Sequence, residues 1–143
     1  MKTLVLMLLV MGSLCYAQEY GLQDEKAIEE ACDSVMEEFL QMNYGGAFQI
    51  MNEFSAVKNE DFEKLKLQSI EQSSFVIQNY GQSLEFIKIK EKELEGVLKE
   101  ITYVIRHEKY GLQFRFLFYR GKGDLWRMTN FLWNDELKKL IAE

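Results

Sequence analysis

At Gly81 the hydrophobic period of this chain changes, and no other feature limits its fold so sharply. Before that glycine, apolar residues return every three or four positions, as on a helix with one buried side. After it they alternate with polar ones, as on a strand with one buried face. Helices followed by strands, rather than interleaved with them, make an α+β domain in which the helices pack on an antiparallel sheet.

In the first half, Ile28, Ala31, Cys32, Val35, Phe39 and Met42 form an apolar stripe from Asp24 to Met42, with Glu29, Glu30, Asp33, Glu37 and Glu38 between them. This predicts an amphipathic helix with an acidic outer side. Gly45-Gly46 is expected to break it, before a short helical segment with Phe48, Met51 and Phe54. Asn59 stands where an N-cap belongs, and Glu60 and Asp61 complement the helix dipole. A third helix, with Phe62, Leu65, Ile70 and Phe75 to Ile77 as its apolar residues, runs to Tyr80 and stops at Gly81.

Four strands fit the second half: Leu84 to Glu93, Val97 to His107, Leu112 to Tyr119 and Leu125 to Trp133. Ile101, Tyr103 and Ile105 share one face of the second, with Thr102 and Arg106 opposite; Leu112, Phe114, Phe116 and Phe118 share one face of the third. Short glycine-bearing connections at 108–111 and 120–124 join neighbours as hairpins, so the strands form a meander. In the fourth strand Trp126 and Phe131 have opposite parity, which calls either for two covered faces or for a bulge between them. Asn134 is placed to cap a short final helix with Leu137, Leu140 and Ile141.

The first residues carry Lys2, an apolar run from Leu4 to Met11 and Gly12-Ser13-Leu14-Cys15-Tyr16-Ala17. A positive end, a short apolar core and small residues before a cut make a secretory signal, with cleavage expected after Ala17. The run is far shorter than the roughly 20 residues of a membrane-spanning helix. A lipoprotein signal, the alternative suggested by Cys15, wants a small residue directly before the cysteine, and Leu14 is not one. The expected product is secreted or periplasmic. Residues 18–143 make a single domain, 126 of the 143 residues.

The signal takes only Lys2 of the 17 basic side chains, leaving 16 against 23 acidic ones and a formal net charge of −7. That balance argues against nucleic acid and anionic membrane surfaces as partners. Cys32 is then the one cysteine left, so no disulfide forms within the domain and a core built from the aromatic residues must hold it. On the apolar stripe, Cys32 reads as a small buried hydrophobe.

The chain contains no glycine-rich phosphate loop, no Ser/His/Asp grouping and no cysteine metal cluster. Its one histidine, His107, sits beside Glu108 at a strand end, where such residues are usually solvated; it is not assigned a catalytic role. Glu29, Asp33 and Glu37 repeat every four residues along one helix face, but a straight stripe does not wrap a cation, and they read as a solvated face. No catalytic residue, metal site or cofactor is expected. A ligand site, if the sheet builds one, would draw on Tyr103, Phe116, Phe118, Trp126, Met128 and Asn130, with Tyr103 and Asn130 as its convergent polar groups.

Tyr80-Gly81 leading into the first strand, Phe114 to Tyr119 in the third, and Trp126 with Asn130-Phe131-Leu132-Trp133-Asn134 in the fourth carry a resemblance. Together with the long acidic helix and the meander, these residues resemble nuclear-transport-factor-2-like and cystatin-like α+β domains, in particular small exported bacterial domains of unknown function. The resemblance implies a curved sheet closing around the long helix as a cone with an apolar interior. Domains of that kind include isomerases and dehydratases that work inside the cone, and also binding modules and dimerisation domains, so fold alone does not choose among them. The Gln-x-Val-x-Gly hairpin of cystatin inhibitors is absent, which speaks against protease inhibition. The expected function is a non-enzymatic module binding a small apolar ligand or a protein, a second copy of the chain included, on its concave sheet. The alternatives are an isomerase or dehydratase acting inside the cone and a structural module of the cell envelope.

Overall fold

In the computed structural model, which describes residues 21–56 and 59–142, three helices precede a four-stranded antiparallel sheet and a short terminal helix follows it. The expected signal segment lies outside the described residues. The α+β class read from the change of period is the class observed.

The first helix, α1 (Glu25–Leu40), starts at an Asp24 cap whose Oδ1 accepts the Ala27 N–H at 2.8 Å. It buries Ile28, Cys32, Val35 and Phe39 of the expected stripe and, in addition, Met36, while Ala31 is half-buried. Its end differs from the expectation. Met42 takes a left-handed backbone (φ 60°) and Asn43 caps α2 (Tyr44–Asn52), its Oδ1 accepting from the Gly46 N–H at 3.1 Å. The break is therefore made by a polar cap at Asn43, and Gly45-Gly46 lies inside the first turn of the next helix.

The third helix, α3, spans Asn59–Tyr80, and Gly81 (φ 80°) ends it in the left-handed conformation that glycine adopts without strain. Of its expected apolar residues only Phe62 and Val76 are buried; Leu65, Ile70, Phe75 and Ile77 are exposed, as is Leu67. Positions 62, 69 and 76, seven apart, form the line that faces the domain. The middle one is Ser69, whose Oγ accepts the Trp133 indole N–H at 3.1 Å.

The sheet comprises β1 (Ser83–Leu94), β2 (Leu98–His107), β3 (Gly111–Arg120) and β4 (Trp126–Asn134), in that order and all antiparallel, the meander expected. Leu117 pairs with Asn130 but Phe118 pairs with Met128, so Thr129 is an extra residue in β4. This bulge reverses the alternation and puts Trp126, Met128, Phe131 and Trp133 in one layer. Of the two outcomes open in the sequence, the bulge is the one realised. Asn130 consequently faces away from Trp126 and Met128 and is exposed, against the expectation that the three share a face.

Helices α1, α2 and α3 cover one face of the sheet, where Phe39, Phe48, Tyr103, Phe114, Phe116 and Phe118 fill the core. On the opposite face Leu137, just before α4 (Lys138–Ala142), lies so close to Gly111 that a Cβ there would stand 3.0 Å from its Cδ1. Both sheet edges are protected. Leu22 exchanges backbone hydrogen bonds with Trp126, and Phe54 and Ala56 bond Met128, all at 2.8 Å. The β1 edge carries Lys88, Lys90 and Lys92 and two register shifts against β2.

Candidate binding cleft between the third helix and the end of the sheet

The residues that end α3, begin β3 and end β4 converge at one end of the sheet. Helical spacing lines up Gln72, Val76 and Tyr80 on one side of α3, with Glu71 and Phe75 beside them; Leu112 and Trp133 face them from the sheet, and Asn134 and Asp135 close the rim. They enclose a cleft of about 550 Å³. A smaller recess of about 210 Å³, between Leu65, Gln68 and Ser69 on the helix and Phe131 and Leu132 on the strand, shares Gln72 and Trp133 with it.

The walls are held in place by groups behind the cleft and by one another. Trp133 stacks on Phe114 (centroids 6.0 Å, planes within 10°), meets Tyr44 at 5.9 Å and is anchored by Ser69. Tyr80 donates its hydroxyl to Asp135 Oδ2 at 2.6 Å, and Phe75 lies edge-on to it at 5.9 Å. That hydrogen bond, followed by burial, pushes the Tyr80 phenol up to about 12, so at neutral pH it remains a donor committed to Asp135. Asn134 Oδ1 accepts from Gln113 Nε2 at 2.6 Å and from the Glu136 N–H at 2.9 Å. Phe75 is 56% exposed, an aromatic face left open at the mouth.

Behind Tyr80 lies His107, its ring 6.5 Å from the phenol ring. It is 6% exposed, not solvated as its position at a strand end suggested, because Ser83 pairs beside it and it lies on the core face of β2. Nδ1 is 3.1 Å from the Gly81 carbonyl, which only accepts, so Nδ1 carries the proton. Nε2 is then a buried lone pair without a hydrogen-bond partner among the described residues. Burial holds the imidazole below its usual 6.5, against the opposing Gly81 hydrogen bond. A folded-state pKa below the unfolded one means that the unfolded chain binds the proton first as pH falls. The stability that His107 contributes is therefore full above pH 6.5, declines below it and levels off beneath the folded pKa. His107 is the only histidine, so urea midpoints at pH 7.5 and 5.0 should converge in His107→Gln. An undiminished difference in that variant would assign the dependence to other groups.

The residues expected to line a site are distributed differently. Tyr103, Phe116, Phe118, Trp126 and Met128 are buried in the core beneath the helices, with Tyr103 and Phe116 edge-on at 5.9 Å. The Tyr103 hydroxyl emerges at the margin of α1, 3.2 Å from Asp33 Oδ1. Asn130 is on the other side of the sheet, and none of the six lines the cleft. Tyr80, Trp133 and Asn134, which do, appear in the sequence as markers of the fold. The further signal was the interruption of α3 by Gln72-Ser73-Ser74, where a fully packed helix would carry apolar residues.

Cys32 is fully buried, and burial raises its thiol pKa far above the usual range. Glu29, Asp33 and Glu37 are exposed; Glu29 pairs with Lys88 at 3.3 Å. Among the described residues no group of three or more His, Cys, Asp or Glu side chains is arranged to hold a metal ion, and no helix is long and apolar enough to cross a membrane. The chain is thus an α+β domain with a helix-backed meander and a cleft at one end. It matches no protein-family model, no curated protein and no solved structure.

Proposed function

We propose that the protein is an exported binding module that captures its ligand in the cleft between α3 and the ends of β3 and β4. The observation that carries this reading is the cleft itself: about 550 Å³, with aromatic walls buttressed from behind and polar groups gathered at the rim. Export rests on the Lys2, Leu4–Met11 and Gly12–Ala17 pattern. The sheet face where the sequence suggested binding contributes instead to the core against which α3 packs, so recognition moves to the end of the sheet.

Native mass spectrometry of the protein recovered gently from the exported fraction, beside a Gln72→Trp variant, tests the reading. Gln72 is exposed, so an indole there fills the cleft without disturbing the core. A small molecule or partner carried by the parent protein and lost from the variant is expected. An adduct retained equally by both would place binding elsewhere. A bare parent protein whose Trp133 indole signal also stays unmoved across a fragment library would end the proposal.

A further inference from the structure

We infer that the ligand of this cleft presents a cation on an apolar body, an alkyl- or arylalkylammonium group. The inference rests on the cleft being the binding site, and takes the chemistry of its walls one step further. The two charged side chains that line it, Glu71 and Asp135, are both carboxylates, and among the described residues no Lys, Arg or His lines it. The aromatic rings of Phe75, Tyr80 and Trp133 offer π faces, whose negative quadrupole attracts an ammonium group.

The donors point the same way. An anion entering the cleft would need N–H or O–H groups, yet the Trp133 indole N–H is given to Ser69 and the Tyr80 hydroxyl to Asp135, which leaves the neutral amides of Gln72 and Asn134 as its side-chain donors. It would find two carboxylates, two engaged donors and, among the described residues, no positive charge, against two neutral amides. A cation finds the reverse: carboxylate oxygens to accept from it and ring faces to lie against. The net charge of −6 on the whole chain adds long-range attraction of the same sign. The apolar part of the ligand follows from Val76 and Leu112, which line the cleft beside the rings.

Three probes with one body separate head-group charge from apolar fit: 2-phenylethylammonium, 2-phenylethanol and phenylacetate, each titrated into the full-length protein while the Trp133 indole N–H signal is followed by NMR. The ammonium is expected to bind about tenfold tighter than the alcohol, the sum of a cation–π contact and an exposed ion pair, and phenylacetate weakest. Glu71→Gln with Asp135→Asn should narrow the ammonium's advantage over the alcohol from about tenfold to about threefold, the cation–π share that the rings still supply. The amide that Asp135→Asn introduces can still accept from Tyr80, so the wall is kept. If the alcohol or phenylacetate binds at Trp133 as tightly as the ammonium, the cleft remains the site and the cationic ligand is wrong. If none of the three moves the Trp133 signal, both fall. A capped lysine peptide forms a further arm: binding equal to that of the free amine would identify the cation as a lysine side chain on a partner, and binding by the amine alone as a small molecule.

Discussion

Phe39→Ala is expected to destabilise the domain by about 3–5 kcal/mol, the cost of removing a buried phenylalanine and leaving its cavity. The ring has almost no exposure and is the point where four elements meet. It contacts Tyr44 and Phe48 of α2 at 5.2 and 6.1 Å, Phe114 of β3 at 4.8 Å and Phe131 of β4 at 5.8 Å, the last nearly parallel. Because those partners belong to different elements, no single one can relax into the space without dragging the others. Against a total stability of about 5–15 kcal/mol, the loss is a fifth or more. Urea unfolding followed by circular dichroism should show a midpoint lower by about 2 M. A shift below about 0.5 M would mean that this ring is not the keystone described.

The second large effect concerns a residue that the hydrophobic pattern does not single out. Lys99 lies on the core face of β2 with its side chain 3% exposed, and its ammonium is 2.8 Å from Glu91 and 3.3 Å from Glu25. Burial acts to lower its pKa, but the hydrogen bond to Glu91 and the charges of Glu91 and Glu25 outweigh that and raise it. The Lys99 hydrogen bond is likewise the main cause that lowers Glu91, with burial opposing and Lys88 assisting. Removing the acid strands a buried cation, so Glu91→Gln should destabilise by about 2 kcal/mol. That is less than a fully buried pair would lose, because Glu91 is 39% exposed and Glu25 remains.

Lys99→Met, which removes the charge and keeps the apolar stem, should change stability by less than about 1 kcal/mol, and combining it with Glu91→Gln should erase most of the cost of the latter. The signs in pH are opposite for the two partners. The Glu91 contribution is present above its ordinary value of 4.5 and is lost as pH falls through its lowered folded pKa. The Lys99 contribution is present below 10.5 and is lost as pH rises through its raised one. Equal destabilisation by Glu91→Gln in the presence and absence of the Lys99 ammonium would refute the coupling.

How far the sequence discloses this molecule depends on how local the cause is. The end of α3 at Gly81, the alternation of β2 and β3 and the hairpins between strands follow from backbone preference and period, and they stand in the structure where the pattern put them. The α1–α2 boundary did not, because Gly45-Gly46 is a strong signal of a break and the decisive group was the side chain of Asn43. The burial of Ser69 and the exposure of Ile70 in α3 came from a tertiary partner, the Trp133 indole, 64 residues away in the chain. The site was harder still. Aromatic residues in alternation identify the core face of a sheet but not whether helices will cover it, and here they do. The cleft arises from three chain segments whose meeting no local pattern records, and Lys99 is legible only once α1 lies across β2.

The extra residue at Thr129 bears on how chains of this kind can diverge. Trp126 and Met128 keep one phase of the alternation and Phe131 and Trp133 the other, so the strand holds a single position more than its layer needs. Losing Thr129 or its neighbour Asn130 would return the strand to strict alternation with all four large side chains still facing inward. Losing Arg127 or Leu132 would send part of that layer into water unless the register shifted to absorb it, and losing Met128 or Phe131 would remove one of its members. Within β4, then, single-residue length variation among descendants of this sequence has one cheap place to occur, and a gap in an alignment at that point would mark a straightened strand and not a different fold.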